Sequence, residues 1–361
     1  MKVSGRLVDV QQRCIYPVIV YFENGTITEV ERTIIAPDNY ILPGLIDAHI
    51  HIESSMITPG AFALAAVKHG TTGVVSDPHE IANVLGIEGV DFMINDAKKV
   101  PFNFWFGAPS CVPATDFETS GGVIDHNEIE KLLLRKEIKY LAEMMNFPGV
   151  IFKNEEVWGK IEIAKKLVKP IDGHAPGLRG EMLKKYVSAG ISTDHECSSI
   201  DEAKEKISLG MKVLIREGSA ARNLDALKEL IKTDPEMVML CSDDLHPEML
   251  LLRHINKLVA KLIADGFDLF DVVCRIPLEP SKVHIIFTDD KCDRYFFDIV
   301  LFLNVGKRVY VCFVEHLQFH GEFFYRITTL GVYTDKLRPV TGLPGYTNKF
   351  RYLLTAGLAV Y

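Results

Sequence analysis

The spacing of hydrophobic and polar positions in this chain changes near residue 43. Before that point, the segments RLVDV, YPVIVYF and TITEVE alternate apolar and polar residues, which predicts antiparallel strands with one buried face. The sequence ENG at Glu23–Gly25 separates the second segment from the third and predicts a turn. Residues 1–42 are therefore expected to form a small N-terminal β domain that packs on the rest of the chain.

From Gly44 to Gly266 the pattern becomes an apolar strand, a loop and an amphipathic helix, repeated eight times. In the first repeat GLIDAHIHIE reads as a buried strand, and the helix that follows begins after Thr58 and ends at Gly70. Eight such units predict an α/β fold, a (β/α)8 TIM-type barrel, over residues 43–280. A doubly wound open sheet is the alternative, but no G-x-G-x-x-G follows the first strand.

The C-terminal segment, residues 281–361, lacks this strand–helix order and is rich in aromatic residues. We expect it to be a divergent tail, either truncated or disordered, that packs poorly. A divergent domain is the other interpretation of the same segment.

Composition and charge indicate a globular protein without a nucleic-acid or membrane partner. The chain has 361 residues, of which 48% are hydrophobic and 24% charged, as in ordinary globular proteins. The net charge of −8 argues against a nucleic-acid partner. Seven scattered cysteines, with no C-x-x-C, indicate free thiols in a reducing compartment. The N-terminus lacks the apolar core of a signal peptide and no apolar run is long enough for a membrane span, so we expect a cytoplasmic protein with no membrane partner.

The first barrel strand ends in two histidines, His49 and His51. Residues two apart in a strand point to the same face, so the two imidazoles converge. Imidazoles in an apolar setting need partners for their nitrogens, and a divalent metal ion is one such partner. Two partly exposed histidines at the start of a loop are the plainer interpretation of this pair taken alone.

The other predicted strand ends add further donors, and the active site of a TIM-type barrel lies at these ends. The polar residues there are His49, His51, Asp77, His79, Glu143, His174, His195, Glu217, Asp243 and Asp244. Six of them are predicted metal ligands: His49, His51, Glu143, His174, His195 and Asp243. Six donors are too many for one tetrahedral ion with an open position and favour two divalent ions.

Roles for these residues follow from the order of the strands. Glu143 is the expected bridge between the ions; His49 and His51 complete one ion with Asp243, and His174 and His195 complete the other. Two such ions activate a water molecule for attack on an electrophilic carbon. We predict Glu143 and Asp243 as catalytic residues, with Asp243 accepting a proton and passing it to the leaving group. Hydrolysis is the implied reaction class.

Six residues are candidates for substrate contacts because of their positions near the strand ends. They are His79, Glu80, Arg216, Glu217, Ser219 and Asp244. For His79 and Glu80, holding the loop in place is the competing interpretation.

Two motifs, PGLIDAHIHIE and HGTTGVVSDPHE, resemble the amidohydrolase superfamily. Eight motifs, from about residue 4 to 271, are similar to the bacterial adenine deaminase family: HIHIESSM, SDPHEIANVLG, FGAPSCVPAT, YLAEMMNFPGV, DGHAPGLRG, AGISTDHE, VLIREGSAARN and CSDD. The resemblance implies hydrolysis of the small molecule adenine to hypoxanthine and ammonia, a step of purine salvage and adenine catabolism. It also implies two Mn(II) or Fe(II) ions at the six positions chosen above; the ligand types accept Zn(II) as well. A homodimer is the assembly to consider.

Two alternatives stand beside this function. One is an amidohydrolase that acts on another heterocycle or a cyclic amide, and the other is a truncated, inactive barrel. The zinc deaminases that flip bases are excluded, because the chain lacks their P-C-x-x-C motif.

Overall fold

The computed structural model describes residues 2–23, 26–115 and 117–274, and the backbone of four later strands between 278 and 333. The N-terminal segment forms three strands, as the alternation predicts: β1 (Lys2–Asp9), β2 (Cys14–Glu23) and β3 (Thr26–Arg32). They pair antiparallel in sequence order. The centre of the turn predicted at Glu23–Gly25 lies outside the described residues.

A single long strand, β4 (Asn39–His51), joins this sheet to the barrel and crosses the predicted domain boundary at 42/43. Its first residues pair with β1, where Arg6 lies opposite Tyr40 and Leu7 opposite Ile41. Its second half pairs in parallel with the next barrel strand. Because one continuous strand belongs to both sheets, its C-terminal end is held from two sides.

The remaining barrel strands occur where the periodicity predicts them. They are β5 (Thr71–Ser76), β6 (Asn103–Ala108), β7 (Ile138–Met144), β8 (Ile171–Gly173), β9 (Thr193–Asp194), β10 (Lys212–Arg216), β11 (Val238–Cys241) and the short β12 (Asp243–Asp244). Strands β4 to β8 form one parallel run and β9 to β11 a second. Strand β12 pairs with β4 and closes the circle. The predicted (β/α)8 barrel is confirmed.

Helices cover the outside of the barrel between the strands. They are α1 (Pro59–Ala66), α2 (His79–Leu85), α3 (Ile87–Ala97), α4 (His126–Leu133), α5 (Phe147–Ile151), α6 (Glu155–Lys166), α7 (Gly180–Ser188), α8 (Ile200–Ser208), α9 (Leu224–Leu227), α10 (Leu230–Thr233), α11 (Pro247–Leu252), α12 (Ile255–Ala264) and α13 (Leu269–Cys274). Their apolar faces pack on the strands in two buried clusters, one on each side of the barrel. Among the residues described, none of these helices is both long and apolar enough to cross a membrane.

Beyond the barrel the backbone forms four strands: β13 (Leu278–Thr288), β14 (Phe297–Val305), β15 (Arg308–Phe319) and β16 (Glu322–Tyr333). Strand β13 pairs antiparallel with the first half of β4, and the other three follow it in antiparallel order. The side chains of these strands and residues 334–361 lie outside the described part of the chain. The poor packing expected of residues 281–361 therefore stays a prediction.

Candidate metal centre

All six predicted ligands lie at the carboxyl-end mouth of the barrel. His49 and His51 end β4, and Glu143 lies near the end of β7. The other three come from the far side of the barrel: His174 and His195 directly follow β8 and β9, and Asp243 begins β12. Five of the six are buried, while the side chain of His174 keeps 28% of its surface exposed. The barrel thus brings together residues up to 194 positions apart in the chain.

The imidazole rings of His49 and His51 point their Nε2 atoms toward each other. His49 Nδ1 lies 3.0 Å from the Asp172 carboxylate, and His51 Nδ1 lies 3.0 Å from the Asp77 carbonyl oxygen. Both partners accept hydrogen bonds, so Nδ1 carries the proton in each neutral ring. The two Nε2 lone pairs then face each other at 3.2 Å. Between two neutral rings this arrangement is repulsive, and either a proton on one Nε2 or a metal ion in front of both relieves it. Two lone pairs aimed at one point fit a metal ion.

Glu143 reaches a different pair of histidines with each of its oxygens. Oε1 lies 3.3 Å from His51 Nε2 and 3.3 Å from His79 Nδ1. Oε2 lies 2.8 Å from His174 Nδ1 and 3.2 Å from His195 Nε2. A carboxylate with one oxygen toward each group of ligands has the arrangement that a bridge between two ions requires.

The two carboxylate oxygens of Asp243 also have different partners, histidines on one side and Arg216 on the other. Oδ1 lies 3.4 Å from His51 Nε2 and 3.8 Å from His49 Nε2, facing the ligand histidines. Oδ2 accepts a hydrogen bond from the Arg216 guanidinium, which also forms a two-point ion pair with Glu196 at 2.6 and 2.8 Å. Burial acts to raise the pKa of Asp243, but the hydrogen bond to His51 and the charges of nearby histidines outweigh it and lower that pKa.

The backbone at Asp243 is held in a left-handed conformation, with φ of 58°. Aspartate is one of the few residues with a side chain that adopt this region readily. The preceding residue, Ser242, donates its backbone N–H to Asp47 Oδ1 at 3.0 Å and its hydroxyl to the other carboxylate oxygen. Asp47 in turn lies 2.9 Å from the buried His254. Asp47 thereby fixes the chain just before the ligand.

The charges in this pocket favour cations. Burial acts to lower the pKa of His49, but the hydrogen bond to Asp172 outweighs it and raises that pKa to about 9. Burial opposes the charged form of His51 as well, but Asp243 and Glu143 outweigh it and hold the pKa of His51 well above its usual value. Burial acts to raise the pKa of Glu143, but hydrogen bonds from histidines hold it well below its usual value. The buried carboxylates thus favour positive charge beside them in this pocket.

The donor atoms form four overlapping groups in which all atoms lie within 4.8 Å of one another. The groups are His49, His195 and Asp243; Glu143, His174 and His195; His51, Asp77, His79 and Glu143; and His51, Asp243 and Asp244. The structure groups His195 with His49 as well as with His174, whereas the strand order assigned it to the second ion alone. Imidazole and carboxylate donors of this kind suit Mn(II), Fe(II) and Zn(II), so the residues present fit two divalent ions.

The six predicted substrate-contact residues divide into two sets. His79 joins the centre through Glu143, and Arg216 faces it through Asp243. Glu80 and Asp244 share the Ser54 hydroxyl, at 3.3 and 2.6 Å, on the rim.

Glu217 and Ser219 are placed differently from the other four. The Glu217 side chain lies 3.9 Å from Arg222 and lines a separate cavity of about 250 Å³ on the outer side of the loop. The Ser219 hydroxyl accepts the backbone N–H of His246 at 2.9 Å and so holds a loop.

Sequence reasoning missed several polar residues that surround the ligands. Asp47 and Asp172 each lie two residues before a ligand histidine, and Glu196 directly follows one. The same two-residue strand spacing that selected His49 and His51 could have identified Asp47 and Asp172, since such pairs share a face. Glu196, whose Oε1 lies 3.5 Å from His174 and 3.4 Å from His195, had no such signal.

Comparison with known proteins finds similar sequences among adenine deaminases. The chain is 52% identical over 310 residues to an adenine deaminase of Salinibacter ruber, covering 84% of this chain and 57% of the relative. It is 55% identical over 282 residues to an adenine deaminase of Sulfurovum sp., covering 78% of this chain and 53% of the relative. The chain thus spans about half the length of the curated relatives it matches.

The fold recurs in solved structures that are distant in sequence. A β-aspartyl dipeptidase from Fervidobacterium islandicum aligns with a TM-score of 0.55 at 14% identity, covering 93% of this chain and all of that one. Such low identity reports the fold alone. Residues 40–272, which include β5 to α12 and every predicted ligand, match the amidohydrolase family. This chain is therefore a member of the amidohydrolase family.

Proposed function

We propose that the chain hydrolyses adenine to hypoxanthine and ammonia. The observation that carries the proposal is the set of six imidazole and carboxylate donors around the two oxygens of Glu143. The substrate is taken from the adenine deaminases to which the chain is about half identical over 78–84% of its length. The reaction adds water at the ring carbon that bears the amino group, and that group leaves as ammonia.

We infer that two divalent ions, Mn(II) or Fe(II) with Zn(II) as the third candidate, occupy this centre. His49, His51, Glu143, His174, His195 and Asp243 would hold them. When bound, such ions supply Lewis-acid activation of a water molecule.

Asp243 is the residue we assign to proton transfer. Its Oδ2 is fixed by Arg216, so Oδ1 keeps a constant direction toward the ligand histidines. A proton leaves the attacking water as its oxygen bonds to carbon, and Asp243 accepts that proton. Asp243 then donates it to the amino nitrogen, so that the carbon–nitrogen bond breaks with release of neutral ammonia. The second proton of the water moves from the new C–OH group to the neighbouring ring nitrogen, which leaves the carbonyl and ring N–H of hypoxanthine.

Glu196 is the residue we assign to substrate orientation. Its two-point pairing with Arg216 fixes the direction of the carboxylate. With 13% of its side chain exposed, it lies where a bound heterocycle can reach it. An ionised carboxylate accepts hydrogen bonds only, so Glu196 would select a ring that presents an N–H group, as adenine does.

The test is an assay of the full chain after removal of metal and reloading with Mn(II). Adenine is supplied as substrate, and hypoxanthine and ammonia are measured together. Equal amounts of both products, dependent on added metal, are the expected result. Product from another heterocycle or a cyclic amide, with none from adenine, would identify a different substrate; a folded, metal-loaded chain silent on all of them would identify an inactive barrel.

A further inference from the structure

We propose that Lys206 is a positioning residue that fixes His174 and His195 relative to each other. This inference rests on the two-ion centre proposed above and adds a residue outside it. Lys206 lies on α8 and is fully buried. It acts through the residues beside the two histidines and not through their rings.

The barrel needs an extra connection at this point because its strand pairing changes between β8 and β9. Within residues 2–274, these strands belong to different hydrogen-bonded sheets, and they are only three and two residues long. Three hydrogen bonds link them: the Ser192 N–H and the Ser192 hydroxyl each donate to the Ile171 carbonyl at 3.0 Å, and the Thr193 hydroxyl donates to Asp172. His174 and His195 follow directly, so the loops beyond the strands must set their separation.

The Lys206 ammonium joins those two loops. It has three N–H donors, and the structure gives it three acceptors. These are the Ala175 carbonyl at 2.7 Å, Glu202 at 2.8 Å and Asp194. Ala175 directly follows His174, and Asp194 directly precedes His195. One side chain therefore holds the backbone next to both ligands.

The two carboxylates extend this connection along both loops. Asp194 accepts the backbone N–H of Glu196 at 2.7 Å, on the far side of His195. Glu202 accepts the backbone N–H of Gly177 at 2.9 Å from one loop and that of Ser198 at 3.1 Å from the other. The cluster of Lys206, Asp194 and Glu202 thus connects the two loops in two places, once through the Lys206 ammonium and once through the Glu202 carboxylate.

The two carboxylates of the cluster also keep the Lys206 amine protonated, as its three hydrogen bonds require. Burial acts to lower the pKa of Lys206, but Asp194 and Glu202 outweigh it and raise that pKa. The amine therefore retains the third proton that its three hydrogen bonds require. Without this cation, two buried carboxylates would face each other beside His195.

The experiment is a titration of the metal-free full chain with Mn(II), followed by calorimetry and electron paramagnetic resonance. The unaltered chain is expected to bind two ions and to show a spin-coupled pair. In Lys206→Met we expect one ion to stay tightly bound and the affinity for the second to fall about 10–100-fold, as for other residues that orient ligands. The spin-coupled signal is then lost at two equivalents of metal.

Lys169→Met is the matched control. The Lys169 ammonium donates to the Ile138 carbonyl at 2.7 Å, a similar contact at the opposite end of the barrel. This variant should bind both ions normally. If Lys206→Met does not fold, Glu202→Gln replaces it in the test, because this variant keeps the Lys206 cation. We expect Glu202→Gln to lower the affinity for the second ion as well, but by a smaller factor.

Two results would overturn the inference. A folded Lys206→Met or Glu202→Gln chain that binds both ions with unchanged affinity would show that the cluster does not position the ligands. An equal loss in Lys169→Met would show that removing any lysine bound to a backbone carbonyl has the same effect. Failure of the unaltered chain to bind two ions would instead overturn the two-ion centre itself, and the inference with it.

Discussion

Replacing Asp243 by Asn separates its role as a base from its role as a ligand. Asn keeps the size and one oxygen of Asp243 but cannot accept and return a proton at neutral pH. In the structure Oδ1 faces His51 and His49, and Oδ2 is bound to Arg216. An amide oxygen in the Oδ1 position can still approach a metal ion, so we expect the variant to keep much of its metal.

The expected loss of turnover follows from the proton transfer that Asn cannot perform. General acid–base catalysis contributes about 10²–10⁴ in rate, or about 3–5 kcal/mol of activation free energy. The substituted side chain would also place an amide N–H₂ or a neutral oxygen against the Arg216 guanidinium, where the structure has a charge pair. We therefore expect the rate with adenine to fall by about 10³-fold or more in Asp243→Asn.

The assay measures metal content and adenine turnover on the same sample of Mn(II)-loaded protein. Asp244→Asn is the matched control, because Asp244 is the next carboxylate along the chain and contacts the Ser54 hydroxyl on the rim. It should change KM more than kcat. Near-normal turnover of metal-loaded Asp243→Asn would refute the assignment and move the proton acceptor to Asp244 or His79, which lie among the same groups of donors.

Three further predictions test the site and the fold around it. Glu143→Gln removes the charge between the two groups of donors, so dialysis should strip metal from it faster than from the unaltered chain, and unchanged retention would contradict the bridge. Burial lowers the pKa of His69 to about 4, while its Nε2 lies 2.7 Å from the Leu250 carbonyl. As pH falls from about 6.5 to 4, His69 therefore takes up a proton in the unfolded chain before it does in the folded chain, and the folded state loses about 3 kcal/mol in that window. Urea unfolding at pH 7 and 4.5 should show a smaller loss in His69→Gln than in the unaltered chain. A Cβ at Gly173 would collide with the Thr193 carbonyl oxygen, so Gly173→Ala should lower the free energy of unfolding by about 1–3 kcal/mol, and an unchanged urea midpoint would contradict this packing.

The barrel and the positions of its ligands could be predicted from the sequence because both depend on local patterns. Each strand–helix unit carries its own periodicity and its own turn residues, as in the helix from Pro59 that ends before Gly70. Once eight units are counted, topology places every strand end at one mouth. His49, Glu143 and Asp243 could therefore be assigned to one site without knowledge of any contact.

The boundary near residue 42 shows where such patterns stop being informative. Alternation before it and a continuous apolar run after it predict a change of environment, and that change exists. In the structure a single strand, Asn39–His51, nevertheless crosses this boundary. A strand can leave one sheet and enter another without a turn.

The periodicity of the chain thus predicted eight strand–helix units, their order and the six donor residues at the mouth. The folded barrel sets which oxygen of Glu143 faces which histidine, joins Arg216 to both Asp243 and Glu196, and lets Lys206 hold two loops together. These contacts join residues from different strands and helices, with separations of a few ångströms set by strand register, twist and packing. A hydrogen bond or an ion pair forms only when two atoms lie within a few ångströms of each other. The alternation of apolar and polar residues in the sequence reflects only which side of a strand or helix is buried, so it carries no information about those distances.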